Sequence, residues 1–210
     1  MTTLRNVVSP TKGEREPHLP GEEGVWVLIF GDMLLFGVFF ATFLYYRGQE
    51  PEVFTDSQRT LSVTIGIVNT LLLLTSSLLV VTGVRAIRRG AQKLAPALFI
   101  GAILCGAGFG VDKVIEYSAK IADGGVVGGV HLASITPATN NFFMYYFILT
   151  GLHMFHVIIG MGVLVFMTVQ ARHPDMTARR FGYVEGGACF WHMVDLLWIV
   201  LFPLIYLVRS

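Results

Sequence analysis

Charged side chains are scarce in this sequence: they make up 14% of its 210 residues, against 54% hydrophobic ones. That scarcity excludes a water-soluble domain, which at this size needs far more charge to cover its apolar surface. An excess of one sign is lacking as well. The formal net charge is +1, and no basic cluster is large enough to suit a nucleic-acid partner. Cysteine is limited to Cys105 and Cys189. Both lie in apolar stretches, where thiols act as small buried hydrophobes rather than as a bridge. Residues 1–24 are polar, carry Pro10, Pro17 and Pro20, and lack the apolar core of a cleavable signal. The first apolar helix is therefore expected to serve as its own insertion signal.

What remains is dominated by long apolar runs. They predict spans over about 25–46, 60–84, 94–117, 141–168 and 186–208, each able to cross a hydrocarbon core of about 30 Å at about 1.5 Å per residue. The expected fold is all-α: a polytopic, five-helix transmembrane bundle over residues 25–210, preceded by a cytoplasmic tail over residues 1–24. Little chain is left for a separate soluble domain. Trp26 at one end of the first span and Tyr45 and Tyr46 at the other read as interface anchors.

Basic residues set the expected orientation. Arg5, Lys12, Arg15, Arg85, Arg88, Arg89, Lys93, Arg172, Arg179 and Arg180 fall on the tail and on the loops after spans two and four. The other side has Arg47, Arg59, Lys120 and Arg209, with Lys113 near a helix end. The positive-inside rule puts the N-terminus in the cytoplasm and the C-terminus outside. Gly101, Gly106, Gly108, Gly110, Gly151 and Gly160 permit close helix approach, within this bundle or against another subunit. No inverted repeat of the kind found in secondary transporters is present.

Ionisable groups in hydrocarbon are costly, so their depths are informative. Counting about 1.5 Å per residue, Asp32 lies about 10 Å from the cytoplasmic side, His153 and His156 about 12 and 8 Å, and His192 and Asp195 about 9 and 13 Å. Three helices thus place polar groups at one level. His153 and His156, like His192 and Asp195, are spaced i, i+3 and share a helix face. Three roles suit such a buried polar layer. It can be a hydrogen-bonded layer in which carboxylates accept from imidazoles and from hydroxyls such as Thr150. It can modulate proton movement, since histidine and a carboxylate exchange protons near neutral pH. Or His153, His156 and His192 with a carboxylate can ligate zinc or iron, although H-x-x-H without Glu-x-x-His is a weak metal signal.

Asp112, Lys113 and Glu116 form a second group at the outer end of span three. Lys113 and Glu116 are i, i+3, which predicts an ion pair near the interface, where snorkelling is cheap. Phe142, Phe143, Tyr145, Tyr146 and Phe147 cluster at the outer end of span four. They read as interface-belt or packing residues, and grooves between such helices suit lipid tails.

Four segments carry a resemblance. They are W-V-L-I-F-G-D-M-L-L-F-G-V-F-F-A-T-F at residues 26–43, K-V-I-E-Y at 113–117, F-I-L-T-G-L-H-M-F-H-V-I-I-G at 147–160, and F-W-H-M-V-D-L-L-W-I-V-L-F-P-L-I-Y at 190–206. Over nearly the whole membrane portion the chain resembles the cytochrome c oxidase subunit III family of the haem-copper oxidases, in its five-helix bacterial form. Asp32 falls where that family has a membrane-embedded Glu or Asp. The resemblance implies a non-catalytic subunit of a bacterial plasma-membrane oxidase, working with cytochrome c or quinol as donor. It implies that this chain binds no haem, copper or other metal, the haems and copper residing in the catalytic subunit I and other subunits. It also implies a structural phospholipid and support of assembly and proton uptake. Consistently, the sequence has no CxxCH haem site and no Cys-rich copper loop.

Two features depart from the family pattern. The mitochondrial type has seven helices, and glutamine is usual in cytochrome oxidases at the place of Lys113. The lysine and the short length also look like the subunit III-like accessory proteins of nitric oxide reductases. A free-standing transporter or proton channel is the alternative of another class.

Overall fold

The computed structural model of the protein describes residues 23–49, 51, 52, 55, 58, 62–122 and 137–207. The tail, the glycines at 124, 125, 128 and 129, and Arg5, Lys12, Arg15, Arg59 and Arg209 lie outside the described residues. Five long helices carry the fold: α1 Glu23–Gln49, α2 Val63–Arg88, α3 Ala95–Ala122, α4 Pro137–Arg172 and α5 Ala178–Phe202. Five stretches of 26 to 30 residues, one along each helix with its adjoining turns, are long and apolar enough to cross a membrane. There is no strand among the described residues. The fold is the all-α bundle that the apolar runs predict.

Local chemistry ends each helix where it does. At the close of α2, Gly90 takes a φ of 77°, open to glycine at no steric cost. Its N–H then reaches the Ile87 carbonyl at 3.0 Å, and the Ala91 N–H reaches Ala86 at 2.9 Å. This is the doubled hydrogen bond of a left-handed helix stop. A 3-10 turn, Gln92–Leu94, leads into α3. From that turn Gln92 donates to the carbonyls of Ala171, at 3.1 Å, and His173, at 2.5 Å, satisfying oxygens that the end of α4 leaves open. Thr177 caps the start of α5. At its far end Pro203 has no N–H to give, and the helix widens into a π-helical turn over Pro203–Leu207.

Helices α2 to α5 close a ring, each packed on the next and α5 back on α2, while α1 lies outside against α5 and α4. Of the five spans, α5 is the most buried and α1 the least. Lipid tails are as apolar as leucine, so dispersion and close fit must hold the ring together. Large rings seated on glycines do this. A Cβ at Gly160 would stand 2.7 and 2.8 Å from Trp191 ring atoms, and one at Gly83 would stand 2.5 Å from Phe99. Packing within the bundle likewise uses Gly101, Gly106 and Gly108, whereas nothing lies within 4 Å of a Cβ at Gly110 or Gly151. Helix α1 attaches by one stripe, with Phe36, Phe43 and Arg47 buried. The Phe43 ring meets Phe142 at 6.4 Å and Tyr145 at 6.2 Å.

Two sequence expectations need correction here, and one pair of alternatives is decided. The span predicted to begin at 186 belongs to a helix that begins at Ala178, and α2 continues to Arg88 instead of stopping near 84. Arg85, Arg88, Arg179 and Arg180 therefore sit on helices rather than in loops; a helix keeps its hydrogen bonds beyond the apolar run that marks it. Cys105 and Cys189 are free, but half-buried rather than buried. Phe142 and Tyr146 are fully buried, which makes them packing residues and not belt residues.

Candidate functional site

Asp32 on α1 and His156 on α4 meet. The His156 Nε2 lies 3.3 Å from Asp32 Oδ2. Its Nδ1 lies 2.8 Å from the Leu152 carbonyl one turn earlier in α4. A carbonyl only accepts, so Nδ1 carries the hydrogen in that contact. The other ring nitrogen faces the carboxylate oxygen of Asp32 across the α1–α4 seam. Phe36 packs edge-on against the His156 ring at 5.5 Å, while the Asp32 side chain keeps 23% of its surface exposed on the α1–α4 face.

The other three members of the expected layer go elsewhere. His153 is fully buried. Neither of its ring nitrogens has a hydrogen-bond partner among the described residues. Its ring stands between Phe109, edge-on at 5.6 Å, and Trp198, at 5.2 Å. His192 Nδ1 pairs with the Ser77 hydroxyl of α2 at 2.6 Å. Asp195 is buried, and both of its oxygens are without a partner among the described residues. Thr150 spends its hydroxyl on Tyr117 and on the Tyr146 carbonyl, each at 2.5 Å. The five residues therefore do not form one connected network. Positions i and i+3 differ by about 60° around a helix, enough in a bundle to send His156 towards α1 and His153 towards α3 and α5. No group of three or more His, Cys, Asp or Glu able to hold a metal ion occurs among the described residues.

The ion pair expected at the outer end of span three is present but deeply buried. Lys113 Nζ meets Glu116 Oε2 at 2.6 Å, with 1% and 5% of the two side chains exposed. Snorkelling plays no part. The π-helical turn after Pro203 delivers Tyr206, whose hydroxyl accepts from Lys113 at 2.7 Å and donates to Glu116 at 2.8 Å. Trp198 and Tyr206 present their ring faces to the ammonium at 4.9 and 5.1 Å, a favourable setting for a desolvated cation. Trp198 is fixed in turn by Thr70, to which its indole N–H donates at 3.0 Å. The sequence reading did not assign Tyr206 a role; its only signal is a tyrosine one turn past an end-of-helix proline. Nor did it find the ion pair of Arg88 with Glu185. Glu185 had fallen just outside the predicted fifth span.

The four segments that carried the resemblance line these places: residues 26–43 hold Asp32, 147–160 hold His153 and His156, 113–117 hold Lys113 and Glu116, and 190–206 hold His192, Asp195 and Tyr206. Residues 21–210 match the family described as cytochrome c oxidase subunit III. The chain belongs to that family. Among individual relatives of this subunit III chain, quinol oxidase subunit 3 of Bacillus spizizenii is 27% identical over 184 residues, 88% of this chain and 85% of the relative. Cytochrome c oxidase subunit 3 of Alkalihalophilus pseudofirmus is 27% identical over 187 residues, covering 88% and 84%. Heme-copper oxidase subunit I+III of Aeropyrum pernix is 22% identical over 191 residues, 88% of this chain but 22% of that protein. Family membership and five apolar helices make this subunit III chain a multi-pass membrane protein.

Proposed function

We propose that this chain is the non-catalytic subunit III of a respiratory haem-copper oxidase, supporting assembly and proton uptake by a catalytic subunit that holds the haems and copper. The observation that carries the reading is the match of residues 21–210 to the subunit III family. The fused subunit I+III relative supports subunit I as the direct neighbour. The Asp32–His156 contact supports a part in proton handling, because a histidine and a carboxyl in contact at membrane depth can exchange a proton. The basic end of the bundle, with Arg85, Arg88, Arg89, Lys93, Arg172, Arg179 and Arg180, faces the cytoplasm of a bacterial plasma membrane in this reading. The C-terminus then lies outside. An apolar groove of about 310 Å³ between α1, α4 and α5, lined by Leu28, Ile159, Phe166 and Phe190, supports the reading of a bound structural phospholipid.

Both cytochrome c and quinol occur as donors in the names of the relatives, and the electron donor of this complex is one of the two. The second reading, an accessory protein of a nitric oxide reductase, draws on Lys113 in place of the glutamine usual in cytochrome oxidases. Purification in mild detergent is the deciding experiment. A tagged chain is expected to bring a haem- and copper-containing protein with it, and oxygen consumption by that complex separates oxidase from nitric oxide reductase. Recovery of the chain without any haem protein removes both subunit readings and leaves the free-standing transporter or channel.

A further inference from the structure

A groove of about 200 Å³ opens between α2 and α5, near the basic end of the bundle. Its rim carries Arg85 and Arg88 from α2 and Glu185 from α5; its walls are Val81, Val84 and Ala188, and Cys189 and His192 lie deeper. The Arg88 side chain is 59% exposed, while the Glu185 side chain paired with it is 4% exposed. This geometry holds a charged carboxylate at the mouth of a recess inside an otherwise apolar seam.

The polar groups continue inward. His192 stands about 10 Å deeper than Glu185, and Asp195 about 15 Å deeper, at about 1.5 Å per residue. Ser77 of α2 links them. Its hydroxyl bonds His192 Nδ1 at 2.6 Å and stands near the Asp195 carboxylate. Both oxygens of Asp195 lack a hydrogen-bond partner among the described residues. A buried carboxylate left so is rare unless water completes it. In hydrocarbon the demand is stronger, and intramembrane acids line hydrated cavities or proton paths. The recess above His192 has room for several waters at about 30 Å³ each.

We infer that the α2–α5 groove is a water-filled vestibule, entered between Arg88 and Glu185 and leading to a proton-holding cluster of His192, Ser77 and Asp195. This cluster is separate from the Asp32–His156 pair, which lies on the α1–α4 side of the bundle. The inference rests on the reading of this chain as a subunit that supports proton uptake, and it locates one entry for those protons.

Cys189 is a built-in reporter on the groove wall. In the purified complex carrying C105A in this chain, a positively charged, membrane-impermeant methanethiosulfonate should modify Cys189, read by the mass of the subunit. Ser77→Cys, made in a C105A/C189A background, should be modified more slowly. The same treatment should lower turnover-linked proton uptake severalfold in the C105A complex, each complex being compared with itself before treatment, and should leave the C105A/C189A complex as it was. Modification of Cys189 by a lipophilic maleimide but not by the charged reagent overturns the vestibule. Modification without a fall in proton uptake overturns its role as an entry. Neither result bears on whether the chain co-purifies with a haem protein, so the subunit reading and the vestibule fail separately.

Discussion

At the scale of single residues, two polar pairs meet opposite fates in one bundle. Lys113 is sealed among Glu116, Tyr206 and Trp198, and each charge depends on the other for compensation. Lys113→Met leaves the Glu116 carboxylate buried without its cation, at a cost of about 3–5 kcal/mol. A clear drop in the thermal unfolding temperature of the purified complex is expected. Adding Glu116→Gln should recover most of it, since removing both charges of a buried pair is close to neutral. Asp32 is different, because its carboxylate keeps an open edge. Asp32→Asn preserves shape and can still bond His156, but it removes the carboxyl that can take a proton. Assembly should therefore persist while turnover, or its persistence through many cycles, changes. A variant that fails to assemble would mark Asp32 as purely structural.

Asp32 and His156 also mark how far the site was legible in the sequence. A carboxylate and two histidines at matching depth announce buried polar chemistry, and depth follows from counting residues. Which of them touch depends on helix rotation, and rotation is set by packing that no single helix encodes. Hence His156 found Asp32, whereas His153 ended between Phe109 and Trp198.

Among the elements, hydropathy located the helices well and their ends poorly. The apolar run of α5 begins near Gly186, but the helix begins two turns earlier at Ala178. Its first turns carry Arg179, Arg180 and Glu185, residues that a search for apolar runs discards. That discarded segment holds half of the Arg88–Glu185 pair and the rim of the α2–α5 groove. The glycines give a test at this scale. Gly160→Ala places a methyl about where Trp191 ring atoms stand, 2.7 Å away, and an indole wedged in a helix seam has little room to retreat. A loss of about 1–3 kcal/mol is expected, measured by thermal unfolding. Gly151→Ala on the same helix meets nothing within 4 Å and should change stability by no more than about 0.5 kcal/mol in either direction.

Over the whole molecule, the ring of α2 to α5 and the outlying α1 divide the labour. The ring buries the largest side chains, Trp191, Trp198 and Tyr146. Helix α1 contributes one acid and one aromatic stripe, and turns Phe30, Leu34 and Val38 outward. Such a helix suits a seam between this chain and a neighbour, as the proposed place beside a catalytic subunit requires. The apolar runs made the count of spans readable; the closed ring was not readable, because it depends on which faces attract and not on how long the runs are.

The placement of α1 bears on the order of synthesis. Asp32 enters the membrane early, and His156 follows about 120 residues later, so the acid waits about 6–25 s for its partner at ordinary rates of translation. Lys113 meets no such delay: Glu116 emerges one turn behind it on the same helix. The bundle therefore joins one ion pair formed within a single helix and one contact that waits for a later helix. Until α4 arrives, the Asp32 carboxyl has no imidazole beside it.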